Sequence, residues 1–304
     1  MIKISAAVFA AALAFTSFIS IKLASAEDVQ ISANGLKLNG SLVLADGRKL
    51  SDGVVLMVHG TLAHHAMETI KNLQTVLTER GFNTLAISLS LGINDRKGMY
   101  DCAQPSRHRH TDAFDEISQW MKWLGAKGVS NVILFGHSRG GNQSAWYMAE
   151  QPDPAIKRLV LLAPATWNAK DAEDGYTKVH KKKLAETVAK AEAMVAKGQG
   201  QTMMKKTGLL YCADADATAA SVVSYYKPDP RFDTPTLLGK IKTPVQIIAG
   251  SNDTVVTGLA ERIPPMADGK KLRFAVVEDA DHFFLDLLAE DVADVIEEFV
   301  SPGG

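Results

Sequence analysis

Six short runs of apolar residues are the feature that most limits how this sequence can fold. Each run is continuous rather than alternating, which is typical of strands buried on both faces, as in a parallel sheet covered by helices. Stretches with helical spacing of apolar residues lie between them, near 66–80, 112–126, 140–150 and 284–299. The alternation predicts a doubly wound α/β core. The runs are Val54–Val58, Thr84–Leu89, Val132–Phe135, Leu159–Leu162, Val245–Ala249 and Leu272–Val277.

An antiparallel hairpin is predicted before the first of these runs. Asn34-Gly35 separates residues 29–33 from residues 36–44. Because both turn residues accept a positive φ, this dipeptide is the strongest short signal for a hairpin.

Residues 166–243 form a long interval between two predicted strands, whereas a crossover between strands usually needs only one or two dozen residues. We expect a helix over 179–197, ended by Gly198 and carrying Lys181-Lys182-Lys183, and a second helix near 215–226. The lysines fit a solvated helix face or, as the alternative, contact with an anionic surface. The interval is predicted to be a helical lid over the core rather than an independent domain.

The N-terminal residues have the pattern of an export signal. Lys3 precedes an apolar stretch over 4–21, and Ala24-Ser25-Ala26 is an A-x-A cleavage signal. We expect a signal peptide over residues 1–26, a periplasmic or secreted product, and no stable membrane insertion after cleavage. The alternative is an uncleaved anchor helix.

Composition excludes several classes of protein. The chain has 33 Lys and Arg against 34 Asp and Glu, a net charge of −1, which argues against a nucleic-acid-binding protein. Two cysteines are too few for a Cys-based zinc site. In an exported chain, we expect Cys102 and Cys212 to form a disulfide, with two free thiols as the alternative.

A G-x-S-x-G motif, Gly136-His137-Ser138-Arg139-Gly140, follows the apolar run that ends at Phe135 and opens a predicted helix. This is the strand–turn–helix context in which the motif holds a nucleophilic serine on a tight turn. The two glycines leave space where a Cβ would collide with the neighbouring elements. Ser138 is therefore the candidate nucleophile.

A base and an acid must follow, because a serine alone is a poor nucleophile. Asp253 ends one predicted strand and His282 lies on the loop after the next, so both are expected at the carboxyl edge of the sheet. We expect His282 to be the general base and Asp253 to orient its imidazole. Asp279 and Asp281 are weaker candidates, since closeness in sequence does not aim their side chains at the ring.

Two backbone N–H groups are expected to stabilise an oxyanion. Arg139 would supply one, and Thr61, after His59-Gly60 at the end of a strand, the other, with Leu62 as the second choice. Leu62 and His137 are also predicted to contact substrate. His59 is expected to support the loop.

These residues together resemble the α/β-hydrolase superfamily, and Leu238–Asp253 is similar to the strand-and-acid segment of lidded lipase- and esterase-like members. The resemblance implies an eight-stranded, mostly parallel sheet with a lid between strands six and seven, and no cofactor. The core would then be residues 27–165 and 244–304, with the lid at 166–243. Arg139 departs from the smaller residues frequent after the nucleophile.

The leading functional prediction is a serine hydrolase that cleaves a carboxylic ester of a small-molecule acyl substrate through an acyl-enzyme. Thioester, lactone or amide hydrolysis by the same triad is the alternative within enzymes, and a non-catalytic binding scaffold is the alternative outside them. His64-His65 and His108-x-His110 are weak metal candidates without a supporting carboxylate spacing, so we expect no metal. The sequence leaves the oligomeric state open.

Overall fold

The computed structural model describes residues 26–301, so all but the last residue of the predicted signal peptide lies outside the described residues. Ten strands are present in this range. In chain order they are β1 (Glu27–Ala33), β2 (Leu36–Val43), β3 (Val54–Val58), β4 (Thr84–Ser88), β5 (Val132–His137), β6 (Ile156–Leu162), β7 (Met203–Met204), β8 (Ala217–Thr218), β9 (Val245–Gly250) and β10 (Leu272–Val277).

Eight of the strands form one sheet in the order β1-β2-β4-β3-β5-β6-β9-β10. β2 is antiparallel to both of its neighbours, β1 and β4, and every other pair is parallel. The predicted eight-stranded, mostly parallel sheet is therefore confirmed. The hairpin at Asn34-Gly35 joins β1 to β2, and both turn residues have a positive φ.

Helices cover both faces of the sheet. They are α1 (Glu68–Glu79), α2 (Asp112–Ala126), α3 (Arg139–Glu150), α4 (Ala169–His180), α5 (Leu184–Ala196), α6 (Ala219–Tyr226), α7 (Thr234–Leu237), α8 (Leu259–Arg262) and α9 (Leu288–Val300).

β3 shows why the strand sequences are continuously apolar. Leu56 and Val58 pack into the cluster that includes Ile117 and Trp120 of α2. Val55 and Met57 pack into the opposite cluster with α1 and α9. Because alternate side chains of a strand point to opposite faces, a strand covered on both sides needs apolar residues at every position.

The last helix begins later than predicted. α9 starts at Leu288 rather than near 284. Phe284 and Asp286 have positive φ values of 49° and 54°, which a right-handed helix does not accept. Periodicity alone extended the helix into this loop because Leu285 continues the apolar spacing.

The helix predicted over 179–197 begins later, as α5 at Leu184, and residues 179–180 are the end of a separate helix, α4. Lys181 ends α4 in the left-handed conformation, with φ 56° and ψ 32°. The carboxylate of Glu173 then accepts hydrogen bonds from the backbone N–H groups of Leu184 and Ala185 at the start of α5. Lys181-Lys182-Lys183 therefore lies in the connection rather than on a helix. α4 was missed because few of its residues are apolar.

The interval between β6 and β9 is tied to the core by hydrogen bonds and by a covalent bond. Ser106, in the loop after β4, exchanges backbone hydrogen bonds with Asp216 and Thr218. Cys102 and Cys212 form a disulfide with their Cα atoms 5.2 Å apart, as predicted. Over residues 26–301, no helix has both the length and the apolar character needed to cross a membrane.

Candidate active site

Ser138 lies on the tight turn between β5 and α3. Its φ of 55° and ψ of −121° lie outside the regions that most residues adopt. A Cβ on Gly136 would stand 2.5 Å from the carbonyl oxygen of Gly140, and one on Gly140 would collide with the carbonyl oxygen of His59. The turn therefore requires glycine at both positions, and it projects the serine above the end of β5.

Ser138, His282 and Asp253 form one hydrogen-bonded chain. Ser138 Oγ lies 2.9 Å from His282 Nε2, and His282 Nδ1 lies 2.8 Å from Asp253 Oδ2. An ionised carboxylate only accepts hydrogen bonds, so Nδ1 carries the proton and Nε2 presents its lone pair to the serine hydroxyl. The structure thus brings together the three residues predicted for the triad.

Asp253 is held by the turn that follows β9. Its Oδ1 accepts hydrogen bonds from the N–H groups of Val255 and Val256 at 2.7 and 2.9 Å. Burial of the carboxylate favours a raised pKa, but the hydrogen bonds from His282 and these two N–H groups outweigh it and hold the pKa of Asp253 below its usual range. Asp279 and Asp281 are exposed and do not contact the ring.

Two backbone N–H groups flank Ser138. Arg139 is the first residue of α3, where N–H groups have no acceptor within the helix. On the other side, a Cβ on Gly60 would lie 3.2 Å from Ser138 Cβ, so the backbone leading into Thr61 runs directly against the serine. The two backbone segments that carry the predicted donors therefore adjoin the serine.

The two predicted substrate contacts occupy different places. Leu62 is 3% exposed, packs into the core and is absent from the described residues that line the cavity over Ser138, so the structure does not bring its side chain to the site. His137 borders the cavity, and its Nε2–H donates to the carbonyl oxygen of His282 at 2.9 Å. Burial and the neighbouring His282 lower the pKa of His137 to about 4.

His59 supports the loop that carries Thr61, in line with its expected role. Its Nδ1–H donates to the carbonyl oxygen of Gly60 at 2.8 Å, and its Nε2 accepts from the N–H of Leu89 at 3.0 Å. Burial lowers the pKa of His59 well below its usual value. The ring is therefore neutral and joins the ends of β3 and β4.

A cavity of about 560 Å³ opens over Ser138. The segment between β6 and β9 supplies part of its wall, including Tyr176, Leu210, Tyr211 and Tyr226. Met204, Leu209 and Tyr225 of the same segment pack instead into a small core of their own.

The His108-x-His110 motif contacts both the segment between β6 and β9 and the core. His108 Nδ1 lies 2.7 Å from the hydroxyl of Tyr225 on α6, and His110 Nε2 lies 3.1 Å from Asn142 Oδ1 on α3. The sequence pattern gives no indication of these two contacts, because they join residues far apart in the chain. Both histidines are buried, and burial lowers the pKa of His108 to about 3.

Replacing His108 with Phe is expected to flatten the pH dependence of stability. In the unfolded chain a histidine takes up a proton below pH ~6.5, whereas folded His108 stays neutral until about pH 3, so its contribution to stability is lost as pH falls through this window. Each such histidine lowers the free energy of unfolding by about 1.4 kcal/mol for each unit by which the pH falls in this window. Urea unfolding between pH 5 and 6.5 should show that the unfolding free energy of wild type depends more steeply on pH than that of His108→Phe, by about this amount. The more exposed His64→Phe is the comparison: burial lowers the pKa of His64 too, but less, so this variant should flatten the slope less than His108→Phe. A slope in His108→Phe equal to that of wild type would contradict the assignment.

The sequence matches the profile of the Alpha/beta hydrolase family over residues 55–297. Three solved structures have similar folds. Est1E from Butyrivibrio proteoclasticus is 18% identical, with 90% of this chain and 96% of that chain covered and a TM-score of 0.60. An esterase from Pyrococcus furiosus is 18% identical, with 91% of each chain covered and a TM-score of 0.59. The esterase domain of a Rhodothermus marinus protein is 14% identical, with 90% and 97% covered and a TM-score of 0.56.

A similarity to a curated protein is confined to a short stretch. The probable 1-acylglycerol-3-phosphate O-acyltransferase of Oryza sativa subsp. japonica is 31% identical over 96 residues. The match covers 30% of this chain and only 22% of that protein's length.

Proposed function

The chain belongs to the Alpha/beta hydrolase family, and we propose that it is a serine hydrolase that cleaves a carboxylic ester through an acyl-enzyme. The observation that carries the proposal is the hydrogen-bonded chain from Ser138 Oγ through His282 to Asp253, with links of 2.9 and 2.8 Å. Ser138 and His282 border a cavity of about 560 Å³, which is large enough for a small-molecule acyl substrate.

In the first half of the reaction, Ser138 Oγ attacks the ester carbonyl while His282 Nε2 takes up its proton. Asp253 keeps the proton of the imidazole on Nδ1 and stabilises the imidazolium that forms. The imidazolium then returns a proton to the departing alkoxide. The acyl group stays on Ser138.

The tetrahedral oxyanion would accept hydrogen bonds from the N–H groups of Arg139 and Thr61. Each such donor contributes about 10²–10³ in rate. In the second half, a water molecule gives its proton to His282 and attacks the acyl-enzyme, which releases the acid and restores the serine hydroxyl. The same residues would also cleave a thioester, a lactone or an amide.

We also propose that the enzyme is exported and that residues 166–243 form a lid. A disulfide persists mainly in oxidising compartments, and the link between Cys102 and Cys212 therefore supports export to the periplasm or the exterior. The segment over 166–243 supplies tyrosine and leucine side chains to the wall of the cavity, which supports its role as a lid.

Labelling with a fluorophosphonate tests the proposal without knowledge of the substrate. We expect wild type to be labelled at Ser138, located by peptide mass spectrometry, and Ser138→Ala to remain unlabelled. Ser144→Ala is a matched control on the same helix, because the Ser144 hydroxyl is buried and has no hydrogen-bond partner among residues 26–301. A folded wild-type protein that resists the reagent would favour the non-catalytic scaffold.

A further inference from the structure

The side chain of Arg139 borders the cavity over Ser138 without a carboxylate partner. None of the ion pairs among residues 26–301 includes Arg139. By contrast, Arg231 pairs with Asp229 and Glu150, and Arg262 pairs with Asp233. Burial lowers the pKa of Arg139 from its usual value, yet a guanidinium remains charged in a protein.

The guanidinium is held in one orientation by neutral groups. Arg139 Nε donates to Thr61 Oγ1 at 3.1 Å, Nη1 lies 3.5 Å from His110 Nδ1, and the guanidinium carbon lies 5.6 Å from the centre of the Tyr225 ring. These contacts use two of its five N–H donors. Its Nη2 has no hydrogen-bond partner among the described residues, and it is not fully buried. It therefore retains accessible surface at the cavity.

Asn142 determines how His110 supports the arginine. Asn142 Nδ2 donates to the carbonyl oxygens of Arg231 and Phe232, so its Oδ1 faces His110 Nε2 as an acceptor. His110 therefore carries its proton on Nε2 and leaves Nδ1 as a lone-pair acceptor for Arg139. Burial and the charge of Arg139 lower the pKa of His110 well below its usual value, which keeps this acceptor available.

The surrounding wall of the cavity offers little compensation for the charge. Its apolar residues include Met67, Met99, Val179, Leu210, Val255 and Phe283. One carboxylate, that of Asp171, also borders the cavity, but it accepts a hydrogen bond from Asn168 at 2.6 Å and is exposed. A partly buried cation with unused donors beside a nucleophile is complementary to an anion.

We propose that the side chain of Arg139 binds a carboxylate carried by the substrate, so that the site prefers esters with an anionic group in the acyl or the leaving portion. This inference rests on the proposed ester hydrolysis. Arg139 would then have two separate roles, since its backbone N–H faces the oxyanion and its planar fork of side-chain donors matches a carboxylate.

Two matched pairs of substrates test the proposal and distinguish the two positions of the carboxylate. Mono-4-nitrophenyl adipate against its methyl ester places the charge in the acyl portion. 4-Acetoxybenzoate against its methyl ester places it in the leaving portion. For wild type we expect kcat/KM to favour the acid about 10- to 100-fold in one of the pairs, after correction for spontaneous hydrolysis.

Variants of Arg139 identify the source of the preference. Arg139→Met retains the backbone N–H, and we expect its acid-to-ester ratio to fall to about 1, mainly through KM, while Arg139→Lys keeps part of the preference. Arg48→Met removes the same charge from an exposed site away from the cavity and should leave the ratio unchanged. A ratio near or below 1 in both wild-type pairs, or a preference that survives in Arg139→Met, would overturn the proposal.

Binding provides a readout that does not depend on turnover. Calorimetry with monomethyl adipate should detect binding to Ser138→Ala, which cannot hydrolyse this ester, and a loss of at least tenfold in affinity for Ser138→Ala/Arg139→Met. No binding to either of these proteins would refute the carboxylate site. Fluorophosphonate labelling reports the ester hydrolase itself, so labelled protein without acid preference contradicts this inference alone, and unlabelled protein contradicts the proposed function.

Discussion

Asp253→Asn is expected to lower kcat/KM for an activated aryl ester by about 10⁴-fold. An amide at this position turns an N–H group toward His282 Nδ1, and the imidazole then places its own proton on Nε2, facing the serine. In that tautomer the ring cannot accept the proton of Ser138. The fold should be preserved, because the Oδ1 contacts with the N–H groups of Val255 and Val256 hold an asparagine as well as an aspartate.

The matched controls are Asp279→Asn and Asp281→Asn, the two other acids close to His282 in sequence. Asp281 accepts a hydrogen bond from the N–H of Phe283, which an asparagine oxygen also accepts, and Asp279 is exposed. Both variants should keep activity within about threefold of wild type, as expected of surface substitutions. Steady-state hydrolysis and the rate of fluorophosphonate labelling measure the effect. A large loss in either control, with Asp253→Asn unaffected, would assign the acid elsewhere.

The sequence predicted those parts of the molecule that depend on local patterns. Continuous apolar runs indicated the parallel strands, and Asn34-Gly35 indicated the hairpin. Ser138, Asp253 and His282 each follow a strand at the same edge of the sheet, so the order of elements was enough to expect them together, and they lie within hydrogen-bond distance. Their chemical roles remain proposals.

Contacts between distant residues were beyond the reach of those patterns. The pairing of His108 with Tyr225 and of His110 with Asn142 depends on how the segment between β6 and β9 and the loop after β4 pack on the core. Nothing in the motif around Arg139 indicated that its guanidinium lacks a carboxylate, because that depends on the folded surroundings. Backbone conformation caused the other errors, as the left-handed Lys181 shows by ending α4 where one continuous helix over 179–197 was predicted.

Removal of the disulfide is expected to destabilise the protein by about 4 kcal/mol in the double variant Cys102→Ala/Cys212→Ala. The two cysteines are 110 residues apart, so the link excludes many extended conformations from the unfolded chain. Without it, the unfolded chain expands and exposes more surface. Urea unfolding should therefore show both a lower midpoint and a larger dependence of the unfolding free energy on urea.

Reduced wild type separates the effect of the link from that of packing. Cys212 is 1% exposed in the main core, so its replacement by alanine also removes buried sulfur contacts, whereas reduction leaves both sulfur atoms in place. Wild type in a thiol reductant should show the same increase in urea dependence and a slightly smaller loss of stability than the double variant. If reduction changed neither quantity while the double variant lost stability, the effect would come from packing at Cys212, and the link would not constrain the unfolded chain.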